Sequence, residues 1–434
     1  MWITLIIFVL VYVAIASEKF PRHWVAMLGG CLLLVFGVLS PEDVVKTINW
    51  ETLGLLAGMF VLVSILTESG FFKWLAMTAA RKVHYKPGAL FIVLFLMATF
   101  LSMFMDSITV MLFLSALTVQ ICHLLKLDPV PIVIAEVVGA NTGGSATLVG
   151  DPPNVILGTT LGYSFSDFAT HTGPIAVITA MILMVIFYAL NRKALNESQR
   201  WLNPETIKDI ESLNQGKLHP HLTKVGLTGF IIAVLLLVFH VPLSHALGIP
   251  INAAIAALLP ATIAIFFLKD KHKKRVILKL DGESILFFCG LFILIGGLEK
   301  VHIFEGLAES FARLADSHQA VLIMVLHWLP GVMSGVVDNV PLALAMSYVL
   351  KDLASLPGMP ALSLMVWSLA LGVDIGGSMT PIGASANVVA YGYLERHHGK
   401  VGWKSWIQQA APATLVGMVI ASVLILMKSL IGWY

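Results

Sequence analysis

Gly143-Gly144-Ser145-Ala146-Thr147-Leu148-Val149-Gly150-Asp151-Pro152-Pro153-Asn154-Val155 stands inside otherwise apolar sequence, and it recurs 233 residues later. The second copy, Gly376-Gly377-Ser378-Met379-Thr380-Pro381-Ile382-Gly383-Ala384-Ser385-Ala386-Asn387-Val388, is identical at seven of thirteen positions. Glycine, proline, hydroxyl and amide groups at this density interrupt a membrane helix instead of extending it. Their duplication predicts two half-sites built by internal repeats, where interrupted helices meet near the bilayer midplane around a substrate and its coupling ions.

The surrounding chain reads as an all-α polytopic membrane protein. Of its 434 residues 58% are hydrophobic and 12% charged, more apolar surface than a water-soluble fold hides. Uncharged runs of about the length that crosses roughly 30 Å of hydrocarbon lie at 3–16, 25–39, 53–66, 175–190, 227–241, 251–268, 285–298 and 411–427. The net charge of +2 points to no nucleic acid, because Lys and Arg sit in loops, where they set orientation. Lys269-Asp270-Lys271-His272-Lys273-Lys274-Arg275 is the strongest cytoplasmic marker. Cys31, Cys122 and Cys289 lie far apart in or beside apolar runs and read as small buried hydrophobes, not as a disulfide or metal set. The apolar run from Trp2 lacks a basic start and a cleavage pattern, so it is expected to be a retained first span.

The longest polar stretch, 191–224, includes Arg192, Lys193, Glu197, Arg200, Glu205, Lys208, Asp209, Glu211 and Lys217. It separates a first repeat, 1–190, from a second, 225–434, as an inter-repeat loop. The run Glu51 to Leu62 aligns with Glu283 to Leu294 at an offset of 232, which also places Ser102 on Ser334 and Asp106 on Asp338. Each half has an apolar span, an amphipathic stretch suited to the interface (71–83; 304–315), an apolar run broken by an Asp, and the Gly-rich interruption. The breaks at Asp106 and at Asp338-Asn339-Val340-Pro341 predict re-entrant hairpin tips. The expectation is thus two inverted repeats of about five to six helices with discontinuous helices. Inversion needs an odd number of spans between equivalent segments, whereas hydropathy alone gives an even number from Glu51 to Glu283. Either the repeat is parallel or a span is miscounted; the favoured expectation is a miscount between 225 and 268 or around the Asp106 hairpin.

Asp106 lies between long uncharged runs, where a carboxylate is costly unless hydrated, paired or protonated. It is a candidate cation or proton site with Ser107 and Thr109 as co-ligands, or a helix cap. Asp338 and Asn339 ahead of Pro341 suit a helix N-terminus whose free amides receive an anion or oxygen ligand. The Gly-rich copies add Asn141, Thr142, Gly143, Gly144, Ser145, Thr147, Asp151 and Asn154 from one half. The other half adds Asp374, Gly376, Gly377, Ser378, Thr380, Ser385 and Asn387. Glycine lets backbone approach a ligand closely, though small residues also serve helix packing. Asp374 falls on Asn141 and Asp151 on Ala384, so the half-sites are chemically unequal. Glu136 is a candidate for a proton path or a paired Glu, and His240 and His327 read as structural histidines. No HExxH, P-loop, GxSxG or Cys/His cluster appears, so no protease or ATPase chemistry is expected.

The Asp-Ser-x-Thr and Asp-Asn-x-Pro tips and the paired Gly-rich motifs resemble the ion transporter superfamily. Within it the chain looks most similar to the ArsB arsenite permeases and the melanosomal P protein. NhaD sodium/proton antiporters and the divalent-anion/sodium symporters look more distant. The resemblance covers nearly the whole chain. It implies an elevator-like transport domain beside a scaffold, often a homodimer, a prokaryotic cytoplasmic (inner) membrane and, on the ArsB side, a cytosolic ATPase subunit. The dicarboxylate symporters carry Ser-Asn-Thr at both tips and bind sodium there, whereas this chain has Asp106-Ser107 and Asp338-Asn339. Acidic tips argue against a tricarboxylate and for proton exchange, since desolvation favours the neutral form of a carboxyl. The leading expectation is proton-coupled efflux of arsenite or antimonite, with Asp106 and Asp338 as coupling carboxylates, the Gly-rich loops as the substrate cradle and no cofactor. A sodium/proton antiporter, with sodium at the Asp106 or Asp338 loops, is the alternative, and an anion channel resembling the P protein a further one.

Overall fold

A computed structural model of the chain describes residues 1–17, 19–213, 218–315 and 318–434, and among these all regular structure is helical. The first half contains α1 (Trp2–Ala16), α2 (Arg22–Val35), α3 (Pro41–Thr47), α4 (Trp50–Glu68), α5 (Phe71–Lys82) and α6 (Pro87–Ser102). It continues with α7 (Ser107–Leu124), α8 (Pro129–Gly144), α9 (Pro152–Leu161), α10 (Phe165–His171) and α11 (Gly173–Ser198). After α12 (Pro204–Ser212) come α13 (Pro220–Leu247), α14 (Ala253–Phe266), α15 (Asp270–Leu278), α16 (Gly282–Lys300), α17 (Ile303–Ala315) and α18 (Gln319–Ser334). The chain closes with α19 (Asn339–Ala354), α20 (Leu362–Gly376), α21 (Ser385–His397) and α22 (Trp403–Ile431). Among the described residues seven helices, α4, α7, α11, α13, α16, α20 and α22, are long and apolar enough to cross a membrane. Their outward faces carry apolar side chains such as Ile231, Leu235, Phe239, Val419 and Val423, as a lipid-facing surface requires.

The two halves pack reciprocally. α4 lies against α14 while α16 lies against α2, and α7 lies against α21 while α19 lies against α9. Matching glycines allow the first two crossings. A Cβ on Gly58 would sit 2.6 Å from the Ala257 backbone, and one on Gly290 2.6 Å from the Ala26 backbone. An ion pair at the helix ends repeats with its signs exchanged, since Arg275–Glu68 (3.1 Å) answers Asp43–Lys300 (2.5 Å) at the offset of 232. Basic α15 and its acidic counterpart α3 therefore occupy equivalent places. In an inverted repeat these places face opposite sides of the bilayer, and only the cytoplasmic one collects Lys and Arg.

The parity of spans resolves at the Gly-rich interruption, outside both places where a miscount was expected, because α8 and α9 together make one crossing that no uncharged run marks. α6 and α7 pack together and against α8, and their tip meets the interruption between α8 and α9. A hairpin that enters and returns adds no net crossing. Counting α4, α8–α9, α11, α13 and α14 leaves five crossings from Glu51 to Glu283, an odd number.

Three expectations need correcting. The stretch 191–224 is largely helical, because α11 runs on to Ser198 and α12 and the start of α13 fill most of the rest; Lys217 lies outside the described residues. Cys31 is exposed on α2, whereas Cys122 is buried and Cys289 half-buried, all three with free thiols. The amphipathic helices α5 and α17 do not merely rest in an interface. Phe72, Ala76, Met77 and Ala80 of α5 and Phe304 and Ala308 of α17 are core residues.

Gly58→Val and Gly290→Val are each expected to lower the midpoint of thermal unfolding in detergent by an overpacking cost of about 1–3 kcal/mol. Gly306→Ala, where a Cβ meets nothing within 4 Å, should leave the midpoint unchanged.

Candidate functional site

Both hairpin tips end in an aspartate because a helix starting at membrane depth needs acceptors for its first amides. Asp106 caps α7, accepting from the Thr109 amide (2.9 Å) and the Thr109 hydroxyl (2.8 Å). Asp338 caps α19 by accepting from the Val340 amide (3.1 Å). Its other oxygen faces the Arg22 guanidinium at 3.3 Å.

The interruptions are stapled alike in each half. Asn154 donates to the carbonyls of Gly144 (3.0 Å) and Thr147 (3.1 Å). Asn387 donates to those of Gly377 (2.8 Å) and Thr380 (2.7 Å). Each interruption is then tied to its own hairpin tip, the Thr147 hydroxyl donating to the Met103 carbonyl and the Thr380 hydroxyl to the Gly335 carbonyl. The glycines take part through backbone contact. A Cβ on Gly143 would clash with the Thr99 carbonyl of α6, and one on Gly376 with the Gly331 carbonyl of α18. Gly144 and Gly377 pack against the Gly150 and Gly383 carbonyls. The approach expected toward a ligand is thus made toward the neighbouring hairpin.

Side chains also join the halves. Asp151, 3% exposed, accepts from the Ser107 hydroxyl (2.7 Å) and from the Asn339 amide of the opposite tip (3.0 Å). Asn141 donates to the Ser378 hydroxyl (3.0 Å) and to the Asn387 amide oxygen (2.9 Å). Asp374, fully buried, lies beside Asp151 and Asn154, and neither of its oxygens has a hydrogen-bond partner among the described residues.

The structure thus gathers Ser107, Asp151, Asn339, Asn141, Asn154, Ser378, Asn387 and Asp374 into one buried cluster. Asp338 and Ser385 stand at its edge. Asp106 and Thr109 are turned on each other, the Ser145 hydroxyl turns back to the Thr142 carbonyl (2.7 Å), and the Thr142 hydroxyl is buried without a partner among the described residues. The arrangement expected from the sequence, acidic tips facing Gly-rich breaks, is corrected in detail. The tips reach the breaks through backbone and through Ser107 and Asn339, the residues that follow the aspartates. Glu136 accepts from Thr118 of α7 (2.6 Å), His240 contacts the Leu237 carbonyl (2.8 Å) and His327 lies between the Ser368 and Met418 carbonyls.

Arg22 was not singled out by the sequence. At the start of α2 it donates to Ser385 (2.6 Å) and Ser284 (3.4 Å) besides facing Asp338, and it lies over the Phe287 ring. Its partners are 262 to 363 residues away, so no local pattern announces it. Arg22, Ser284, Ser385 and Asp338 form a wall of an open cavity of about 470 Å³ that also holds Asp281 and Glu283. That wall sets one guanidinium against three carboxylates. A void of about 10 Å³ between Asp106, Arg22, Phe60 and Phe287 lies beside it, about the volume one water needs.

Residues 12–372 match the family model described as citrate transporter, CitMHS. The chain is 30% identical to the 46 kDa membrane protein of Mycobacterium leprae, over 99% of each chain. It is 31% identical to an uncharacterized transporter of Mycobacterium tuberculosis, over 96% of each. It is also 30% identical to the P protein of Mus musculus, over 98% of this chain and 60% of that longer one. Two solved structures share the fold. The YdaH transporter of Alcanivorax borkumensis aligns with a TM-score of 0.61 at 16% identity, over 90% of this chain and 88% of that one. MtrF of Neisseria gonorrhoeae, described as illuminating a class of antimetabolite efflux pumps, aligns with a TM-score of 0.60 at 13% identity, over 98% of this chain and 93% of that one.

Asp151→Ala removes the shared acceptor of two buried donors and is expected to cost about 1–3 kcal/mol for each donor left unpaired. Asp151→Asn can still accept from Asn339 and donate to Ser107, so thermal unfolding should find it close to the parent protein.

Proposed function

We propose, for a chain that belongs to the citrate transporter family and is an integral membrane secondary transporter of that type, that it exports arsenite or antimonite in exchange for protons. The observation that carries this reading is the charge balance at the cavity, where Arg22 is outnumbered by Asp281, Glu283 and Asp338 and already engaged by Asp338 and Ser385. Such a wall repels a tricarboxylate. It accepts arsenous acid, which is uncharged at neutral pH and carries only hydroxyls, each able to donate to a carboxylate and accept from serine or amide groups.

In this proposal Asp106 and Asp338 exchange the coupling protons at the hairpin tips, and the Gly-rich interruptions cradle the substrate. Alternating access comes from the hairpins and interrupted helices moving as a body against the remaining helices. A homodimer and a cytosolic ATPase subunit are the proposed partners, carried by the ArsB resemblance alone. The acidic wall also favours a second reading, a sodium/proton antiporter with sodium at the Asp106 or Asp338 tip.

Uptake of arsenite into everted vesicles energised by an inside-acid gradient is the expected result, abolished by Asp106→Asn and by Asp338→Asn while both variants elute as folded protein. Sodium-dependent proton release without arsenite uptake would move the assignment to the antiporter. If both variants transport at the parent rate with the same pH dependence, the tip aspartates are not the coupling groups.

A further inference from the structure

The cluster between the halves is symmetric in frame and unequal in hydrogen bonds. In one copy Asn141 donates its amide to the Asn387 oxygen. At the offset of 233 the same two places hold Asp374 and Asn154. Both Asn154 hydrogens are used on the Gly144 and Thr147 carbonyls, which leaves its amide oxygen unpartnered. Asp374 is fully buried, and its two oxygens have no hydrogen-bond partner among the described residues. The second copy therefore holds acceptors and no donor where the first holds a donor–acceptor pair.

Asp151 completes the imbalance. Its two oxygens each receive a donor, Ser107 and Asn339, so its negative charge is solvated by the protein. An ionised Asp374 next to it would be a second buried charge with no donor and a like-charged neighbour, the costliest arrangement available. Protonation removes that cost and supplies the missing donor.

We propose that Asp374 binds a proton and, in its neutral form, donates it to Asp151 of the first-half interruption, joining the halves there as the Asn141 amide does in the other copy. Resting on the proton-coupled reading above, Asp374 is a further, buried carrier of a coupling proton, deeper than the tip aspartates. Asp151 is its ionised partner. The proton arrives from water and returns to it, with no other bond made or broken.

Several helices pack against α20, and of the titratable groups they carry one acts on Asp374. Asp151 at the start of α9 is the charged group acting on it. From α8 come Asn141 and, further back, Glu136 bonded to Thr118. α18 brings His327, held by the Ser368 and Met418 carbonyls. α19 brings Asp338, paired with Arg22, and α22 brings Lys428, bonded to His171. No cation among these faces the Asp374 carboxyl.

Infrared difference spectroscopy of the full-length protein in lipid tests this directly. At neutral pH the parent should show the carbonyl stretch of a neutral aspartyl carboxyl, shifted by ¹³C-aspartate labelling and lost in Asp374→Asn. Asp151→Asn should keep that band and lose ionised-carboxylate absorption instead. Asp374→Asn should fold, because asparagine makes the equivalent bond at position 141. It should also lose gradient-driven arsenite uptake while retaining arsenite exchange at equal concentrations and equal pH. The inference is overturned if the labelled parent shows no neutral aspartyl band. It is equally overturned if the band survives Asp374→Asn, or if that variant fails to fold. A band that behaves as expected in a parent protein that does not move arsenite would remove the transport reading and leave the protonated Asp374 standing.

Discussion

Backbone that leaves its helix at membrane depth has no water to bond to, and the structure is organised around supplying those bonds from within. Four segments do this, the two hairpin tips and the two interruptions, and each is satisfied by another. Asn154 and Asn387 close the interruptions on themselves, and Thr147 and Thr380 fasten them to the tips. The fit is close enough that the helices bringing them together must lack side chains at the contact. Gly143 against Thr99 and Gly376 against Gly331 meet that need. Disturbing any one segment strands polar groups in at least one other, and the second tip is bonded to both interruptions.

A frame so strongly constrained leaves little freedom for chemistry, and the differences between the halves concentrate where side chains face each other across the centre. Position 141 is Asn where 374 is Asp, and 151 is Asp where 384 is Ala. Arg22 stands near the start of α2, while α14, the corresponding helix, begins Ala253-Ala254. The repeat supplies the scaffold twice, and the charges are distributed once. On the coupled-transport reading this inequality is what would let the two half-sites bind different ligands, since identical half-sites would bind the same ligand equally.

Much of this was legible in the sequence because helix interruption and repetition leave local marks. The Gly-rich copies, the constant offset and the aspartates at the breaks all report positions where backbone behaves unusually, and that behaviour is fixed within a few residues. What stayed hidden depends on the third dimension. Arg22 looks like an ordinary residue flanking a span until Asp338, Ser385 and Ser284 close around it. A glycine reveals a missing side chain without saying whether ligand or backbone fills the space. The stretch after Asn191 reads as a loop because hydropathy cannot tell a solvated helix from irregular chain. The span count failed at α8 and α9 for a related reason, since a crossing interrupted by glycine, proline and polar residues does not read as one uncharged run.

The open cavity and the closed cluster are joined by two adjacent residues. Asp338 faces the cavity with its side chain 17% exposed, and Asn339, the next residue, reaches Asp151 inside. A displacement of the α19 tip therefore cannot leave Asp151 unaffected. Drawing Asn339 away removes one of the two donors to Asp151, and on the proton-coupled reading proposed above this would shift the proton from Asp374 toward Asp151. Conversely, moving a proton onto Asp151 weakens its hold on Asn339 and frees the tip. Linkage is reciprocal, so a geometry in which hairpin position alters proton affinity is also one in which a proton alters hairpin position. On the proton-coupled reading, the bond between Asn339 and Asp151 is what would connect the hairpin tip to the proton at Asp374.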